Sequence, residues 1–131
     1  MSKKYRFFLK IYYEDTDLAG IVYYANYLKF VERARSEMLH TLAISQKKLF
    51  ESGKFFVVTD LKAKYLSPAF FGDNLEVISE LKEIRGASIL LCQKVCRSSE
   101  LLFKVSVNLA LVRANGKVSR IPANIRQLLE T

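Results

Sequence analysis

Three carboxylates crowd one short stretch, Glu14, Asp15 and Asp17, and a glycine and a run of tyrosines follow at Gly20, Tyr23, Tyr24 and Tyr27. Strand-like residues, Phe7 to Tyr13, lead into this acidic turn, and the turn feeds an amphipathic helix. The first peptide N–H groups of a helix lack intrahelical partners and carry partial positive charge. A carboxylate beside such donors suits attack on a carbonyl. The amides hold the oxygen on which negative charge develops, while the carboxylate acts as base or nucleophile. The same residue types also serve plainer ends, since Asp and Thr cap helices and Gly makes turns. Spacing alone leaves both readings open.

The elements that must position these groups follow from the apolar pattern. Tyr27, Val31, Ala34, Met38 and Leu42 recur every three or four positions, with Lys29, Glu32, Arg33, Ser36 and Glu37 elsewhere around the axis, which predicts one long helix from Tyr27 to Leu42. Ser45 offers a cap for a short second helix through about Glu51, and Gly53 its left-handed stop. Phe55 to Leu66, Leu75 to Ile84, Ala87 to Arg97 and Leu101 to Val112 read as strands, and the last two connectors are short enough for hairpins. Pro122, at a first helical position, opens a C-terminal turn or helix through about Leu129. Strand, long helix, then consecutive strands argue for an α+β fold with a mainly antiparallel sheet curled around the helix. No linker, repeat or low-complexity segment divides residues 1–131, so the chain reads as a single domain.

Bulk properties narrow the classes. The chain has 131 residues, half of them apolar, enough to bury a core. No run approaches the roughly 18 consecutive apolar residues of a membrane span, and Met1 to Arg6 lead into an alternating segment, not a signal-peptide core. The expectation is a cytoplasmic protein without membrane insertion. Cys92 and Cys96 fall on one face of an extended segment, too far apart to bridge, and read as reduced thiols. With one histidine and no close cysteine pair, no metal site is expected. The net charge of +8 attracts polyanions, including coenzyme A phosphates and acidic carrier proteins. The basic residues are scattered and form no tract of the kind that marks nucleic-acid arms, so no nucleic-acid partner is expected.

Asp15-Thr16-Asp17, Gly20-Ile21-Val22-Tyr23 and Tyr27 together resemble the signature of the 4-hydroxybenzoyl-CoA thioesterase family. Tyr12 to Asp17, Ala25-Asn26-Tyr27, Glu32 to Leu39, Tyr65 to Ala69 and Leu75-Glu76-Val77 resemble, within it, the YbgC-like acyl-CoA thioesterases encoded with the bacterial Tol-Pal envelope system. The resemblance implies the hotdog fold, an acyl-CoA substrate, no cofactor beyond the coenzyme A of that substrate, and homodimers or homotetramers with active sites at subunit interfaces. It places Asp17 at the signature aspartate, as nucleophile or general base, and points the Tyr24 backbone N–H at the thioester oxygen. Gly20 would permit close backbone approach. Tyr13 matches a tyrosine that helps shape the site, with a core aromatic as the competing role. Arg85 and Ser88 match positions that contact coenzyme A phosphate or pantetheine, with Lys62, Lys64 and Arg120 as further candidates. Many YbgC-like chains carry a histidine where this one has Tyr24, and a phenol of pKa about 10 is a poor base at neutral pH.

One other class stays open, a non-catalytic module that docks an acyl carrier protein or envelope-lipid enzymes through its basic surface. A hotdog dehydratase or a Ser-His-Asp site needs a histidine, and His40, the lone one, lies on the long helix, far from the acidic turn.

Overall fold

The computed structural model describes residues 3–131; Met1 and Ser2, at the head of the N-terminal segment read above, lie outside the described residues. Strand β1 (Lys4–Lys10) is followed by one turn of 3-10 helix (Tyr13–Asp15), then by α1 (Asn26–Thr41) and α2 (Gln46–Glu51). Strands β2 (Lys54–Tyr65), β3 (Asn74–Ile84), β4 (Ser88–Arg97) and β5 (Glu100–Arg113) come next, and α3 (Ala123–Glu130) closes the chain. The strands form one 5-stranded sheet in the order β1-β3-β4-β5-β2, antiparallel throughout. It curls around α1 in the hotdog arrangement, as expected for this α+β chain.

The long helix buries Tyr27, Phe30, Val31, Ala34, Met38 and Leu39 against Leu75, Val77, Leu91, Val95, Phe103, Val105 and Val107 of the sheet. Phe30 is 1% exposed, and burying such a side chain contributes roughly 1.5–3 kcal/mol. One polar group sits in this apolar layer. Gln93, fully buried, donates from Nε2 to the Val31 carbonyl and to Ser79 Oγ, both at 2.9 Å. Burying its amide is tolerable because these partners satisfy it.

The connections follow local rules. Ser45 Oγ accepts the Lys48 N–H at 3.1 Å to cap α2, and Gly53 supplies the left-handed stop at φ +84°. Most element ends lie within one residue of the sequence expectation, and three of the differences bear on the site or the ends of the fold. The first strand ends at Lys10, not Tyr13; Ile11 still bonds the Gly72–Asp73 loop ahead of β3, and the chain then bends into the 3-10 turn at Tyr13. The long helix begins at Asn26 with Ala25 at its N-cap, so Tyr24 lies just before it. Pro122 occupies the N-cap of α3, one residue ahead of the first helical position. Cys92 and Cys96 are free thiols.

Candidate active site

The acidic turn is a small loop stitched to both of its neighbours. Ile11 donates its N–H to the Asp73 carbonyl and accepts from the Gly72 N–H, each at 2.9 Å. The 3-10 turn is then closed by Asp15, whose Oδ2 accepts the Tyr12 N–H at 2.9 Å. Asp17 starts a reversal in which its N–H reaches the Ile21 carbonyl at 2.9 Å and the Gly20 N–H returns to the Asp17 carbonyl at 3.0 Å. Gly20 sits at φ +80°, where a side chain is strained, yet a Cβ there would meet nothing within 4 Å. In the single chain, therefore, this glycine serves the turn and does not relieve crowding.

Asp17 Oδ1 accepts the Ala19 N–H at 2.9 Å, which holds the side chain in a tight Asx-type turn. Oδ2 has no partner among the described residues. Asp17 lines an open groove of about 790 Å³ with Tyr13, Glu14, Thr16, Leu18, Gly20 and Phe71. Tyr13 stands 80% exposed with its ring edge-on to Phe71 at 6.5 Å, so it is a wall of this groove and not a core aromatic.

Two bonds to one oxygen tie this turn to the start of α1. The Asp15 carbonyl accepts the Tyr23 N–H at 3.0 Å and Asn26 Nδ2 at 2.9 Å. Between those anchors lies Tyr24. Its carbonyl accepts the Tyr65 hydroxyl at 2.9 Å, while its N–H has no acceptor among the described residues. The helix-capping role for the acidic residues fails, since α1 has no side-chain cap and Asp15, Thr16 and Asp17 bond within their own loop. Tyr27, 3% exposed, stacks on Phe103 at 4.9 Å and accepts the Ala69 N–H on its hydroxyl at 3.1 Å. Burial pushes the Tyr27 and Tyr65 phenols above their ordinary range, and a hydrogen bond with Tyr24 does the same for Tyr23. These three hydroxyls stay protonated at neutral pH and do not act as bases.

The other sequence candidates lie elsewhere in the chain. Tyr24 is not among the residues lining the Asp17 groove. Arg85 and Ser88 flank the β3–β4 hairpin, and β3, which starts beside the acidic turn, carries the chain about 33 Å away from it. Exposed Arg85 is held in a two-pronged pair by Glu83, both bonds 3.1 Å. That hydrogen-bonded pairing raises the arginine and lowers the carboxyl from their ordinary values. Arg120 packs over Gly86 and Arg126 donates to the Arg85 carbonyl, which makes this hairpin a basic corner. Lys62 and Lys64 are exposed on β2, and His40 is exposed in the last turn of α1. Asn26 and Tyr65 hold the site together although sequence reasoning gave them no role; the motifs containing them were the available signal.

Comparison with known proteins agrees with this architecture. A family model described as the thioesterase superfamily matches residues 19–104, a span beginning two residues after Asp17. An acyl-CoA thioesterase YbgC from Haemophilus influenzae is 43% identical over 113 residues, covering 86% of this chain and 83% of that one. The acyl-CoA thioester hydrolase YbgC of Escherichia coli O157:H7 is 39% identical over 98 residues, 75% of this chain and 73% of its own. Among solved structures, a probable thioesterase from Bartonella henselae superposes with a TM-score of 0.86 at 31% identity, over 92% of this chain and all of that one. A 4-hydroxybenzoyl CoA thioesterase mutant complexed with 4-hydroxybenzoyl CoA reaches a TM-score of 0.89 at 20% identity, over 96% of this chain and 98% of its own, a likeness of fold alone. With the hotdog sheet, the matched span and these relatives in agreement, the chain belongs to the thioesterase superfamily, in its YbgC-like branch.

Proposed function

We propose that this chain is an acyl-CoA thioesterase that hydrolyses an acyl-CoA thioester to the free acid and coenzyme A, with no cofactor of its own. One observation carries the reading. Asp17, a carboxylate with one oxygen free among the described residues, stands two residues after Asp15, and Tyr24, whose N–H has no acceptor among them, stands one residue after Tyr23, whose own N–H is bonded to the Asp15 carbonyl. The names of the relatives support the reaction class.

In the nucleophilic form, an Asp17 oxygen bonds to the thioester carbon and the C–S bond breaks, releasing thiolate; water then cleaves the anhydride and restores the carboxylate. In the general-base form, Asp17 takes a proton from water as the water oxygen attacks, and that proton passes to the departing thiolate. Either way the Tyr24 N–H steadies the carbonyl oxygen as charge builds on it. A thiol pKa of about 8.5 makes departure easy without a strong acid. Tyr13 walls the groove, and the Gly20 turn sets the Asp17 backbone.

Arg85 and Ser88, a strand length from Asp17, would hold the coenzyme A of a substrate bound at another copy's Asp17. The working unit in this reading is a homodimer or homotetramer acting in the cytoplasm. The outer edge of β2, unpaired among the described residues and long enough for a second strand, supports an assembly of copies. An acyl carrier protein remains a further partner for the basic surface.

Substituting Asp17→Asn tests the assignment. Free-thiol release from an acyl-CoA panel should fall by roughly 100- to 10,000-fold, with the circular dichroism melt and coenzyme A binding retained. Undiminished turnover refutes it. Label entering the Asp17 carboxyl group in a single turnover in heavy-oxygen water marks the nucleophilic form, and trapping of an acylated Asp17 with hydroxylamine detects that form where water attacks the substrate carbonyl instead.

A further inference from the structure

Helix α1 packs mainly on β1, β3 and β4 and leaves part of the inner face of β2 uncovered. Val58, Leu61 and Tyr65 are 42–49% exposed there, although their register partners Leu109, Val107 and Phe103 are buried. The sheet is shaped to allow this. Residues three apart in a regular strand point to opposite faces, but the register shift between Val58 and Asp60 inserts an extra residue, so Val58 and Leu61 both face inward. With Leu28, Val31, Arg35 and Val107 they line an open groove of about 480 Å³.

Arg35 is out of place among them. It follows Leu28 and Val31 on one helix face, and Nη1 donates to Gln93 Oε1 at 3.0 Å. That is the single bond the guanidinium makes among the described residues, leaving four of its five N–H donors unfilled. No carboxylate among the described residues pairs with it: nearby Glu32 instead accepts from Ser36 Oγ at 3.2 Å. Burial holds the Arg35 guanidinium below the ordinary arginine range, against the pull of Glu32. The groove mouth adds Lys29 and Arg33, so three cations face one carboxylate.

Resting on the thioesterase reading above, we infer that this groove receives the acyl chain and that Arg35 selects acyl groups carrying a carboxylate at their far end. The lining of the groove starts at Leu28, about one helical turn beyond Tyr24, so a thioester gripped at Tyr24 has its acyl chain directed along α1. From Leu28 to Arg35 the helix rises about 10 Å, which sets the length at which a terminal carboxylate meets the guanidinium. A carboxylate can take two parallel N–H donors of an arginine fork, the geometry a planar guanidinium favours. Another copy's apolar strand laid over the same groove would bury those donors unpaired, at a cost.

The test compares matched pairs of thioesters, from glutaryl-CoA and pentanoyl-CoA up to sebacyl-CoA and decanoyl-CoA, with the intact chain. The ratio of kcat/KM values, dicarboxylic over monocarboxylic, should peak at one chain length and should fall about 10- to 100-fold in Arg35→Met, the loss expected for a charge-assisted bond. Arg35→Lys keeps the charge without the fork and should recover part of the ratio. Calorimetric binding of the free dicarboxylic and monocarboxylic acids to the wild-type chain needs neither turnover nor a folded variant. Wild-type hydrolysis with no dicarboxylic preference in rates or binding overturns the inference while leaving the thioesterase reading intact. Preferential dicarboxylate binding without any hydrolysis supports the inference and sinks that reading. Loss of oligomers in Arg35→Met with an unaltered substrate ratio would make the groove a subunit contact and also overturn the assignment.

Discussion

Replacing Asn26 with alanine separates what holds the site in register from what does the chemistry. The substitution removes the 2.9 Å bond from Asn26 Nδ2 to the Asp15 carbonyl but leaves that carbonyl the Tyr23 N–H at 3.0 Å. One neutral, half-buried bond is worth about 1 kcal/mol. For a domain of this size that corresponds to a fall in Tm of about 3–5 °C. The same energy changes the population of the locked arrangement by a factor of about 5, so kcat should fall severalfold, with KM much less affected. Asn26→Asp sharpens the test. A carboxylate at the first helical position gains roughly 0.3–1 kcal/mol from the helix N-terminus, yet it sets an acceptor against the Asp15 carbonyl. Its melting temperature should therefore recover relative to alanine while kcat drops further. Thermal melts read beside free-thiol release rates supply both numbers. Full kcat in Asn26→Ala despite a lowered Tm, or an Asn26→Asp enzyme at least as fast as Asn26→Ala, would refute the reasoning.

Tyr27→Phe leaves the buried Ala69 N–H without its acceptor, and urea unfolding should show a loss of about 1–3 kcal/mol. The raised Tyr27 pKa adds a pH signature: its contribution is whole below the ordinary phenol value of 10.0 and is lost as pH rises through the higher folded value. Wild-type stability should thus decline more steeply above pH 10 than that of the variant; parallel declines would exclude the effect. At Gly20, φ +80° with open space around the missing Cβ makes backbone strain the whole penalty, roughly 1–2 kcal/mol for alanine. Asparagine should melt between glycine and alanine, and equal melting of the two variants would contradict that account.

Much of the architecture was legible because its causes are local. The apolar spacing from Tyr27 to Leu42, the Ser45 cap, the Gly53 stop and the two short hairpins each depend on neighbours within a few residues. The misplaced ends depend on distant ones. Nothing in Phe7 to Tyr13 reveals that the chain bends into a 3-10 turn at Tyr13 just after Ile11 meets Gly72 and Asp73, and Tyr24 falls outside α1 because Tyr23 is drawn to the Asp15 carbonyl. In the site, the resemblance supplied Asp17 and Tyr24, while composition alone could not tell catalytic carboxylates from capping ones. Arg35 carried no signal, since an arginine on an amphipathic helix looks like any solvated cation until part of β2 is seen to stand uncovered. Tyr13 was ambiguous for the reverse reason: its exposure is set by the chain's early exit from the sheet.

The Gln93 amide beneath α1 has a consequence beyond its own satisfaction. Interdigitated side chains already resist rolling of the helix about its axis, but they tolerate small rotations. By clasping the Val31 carbonyl from below, this side chain narrows the azimuth that packing leaves to the cylinder. The peptide planes at its front end and the cation nine residues further on are thereby aimed together, so a leucine at position 93 would yield a protein that still folds but no longer points.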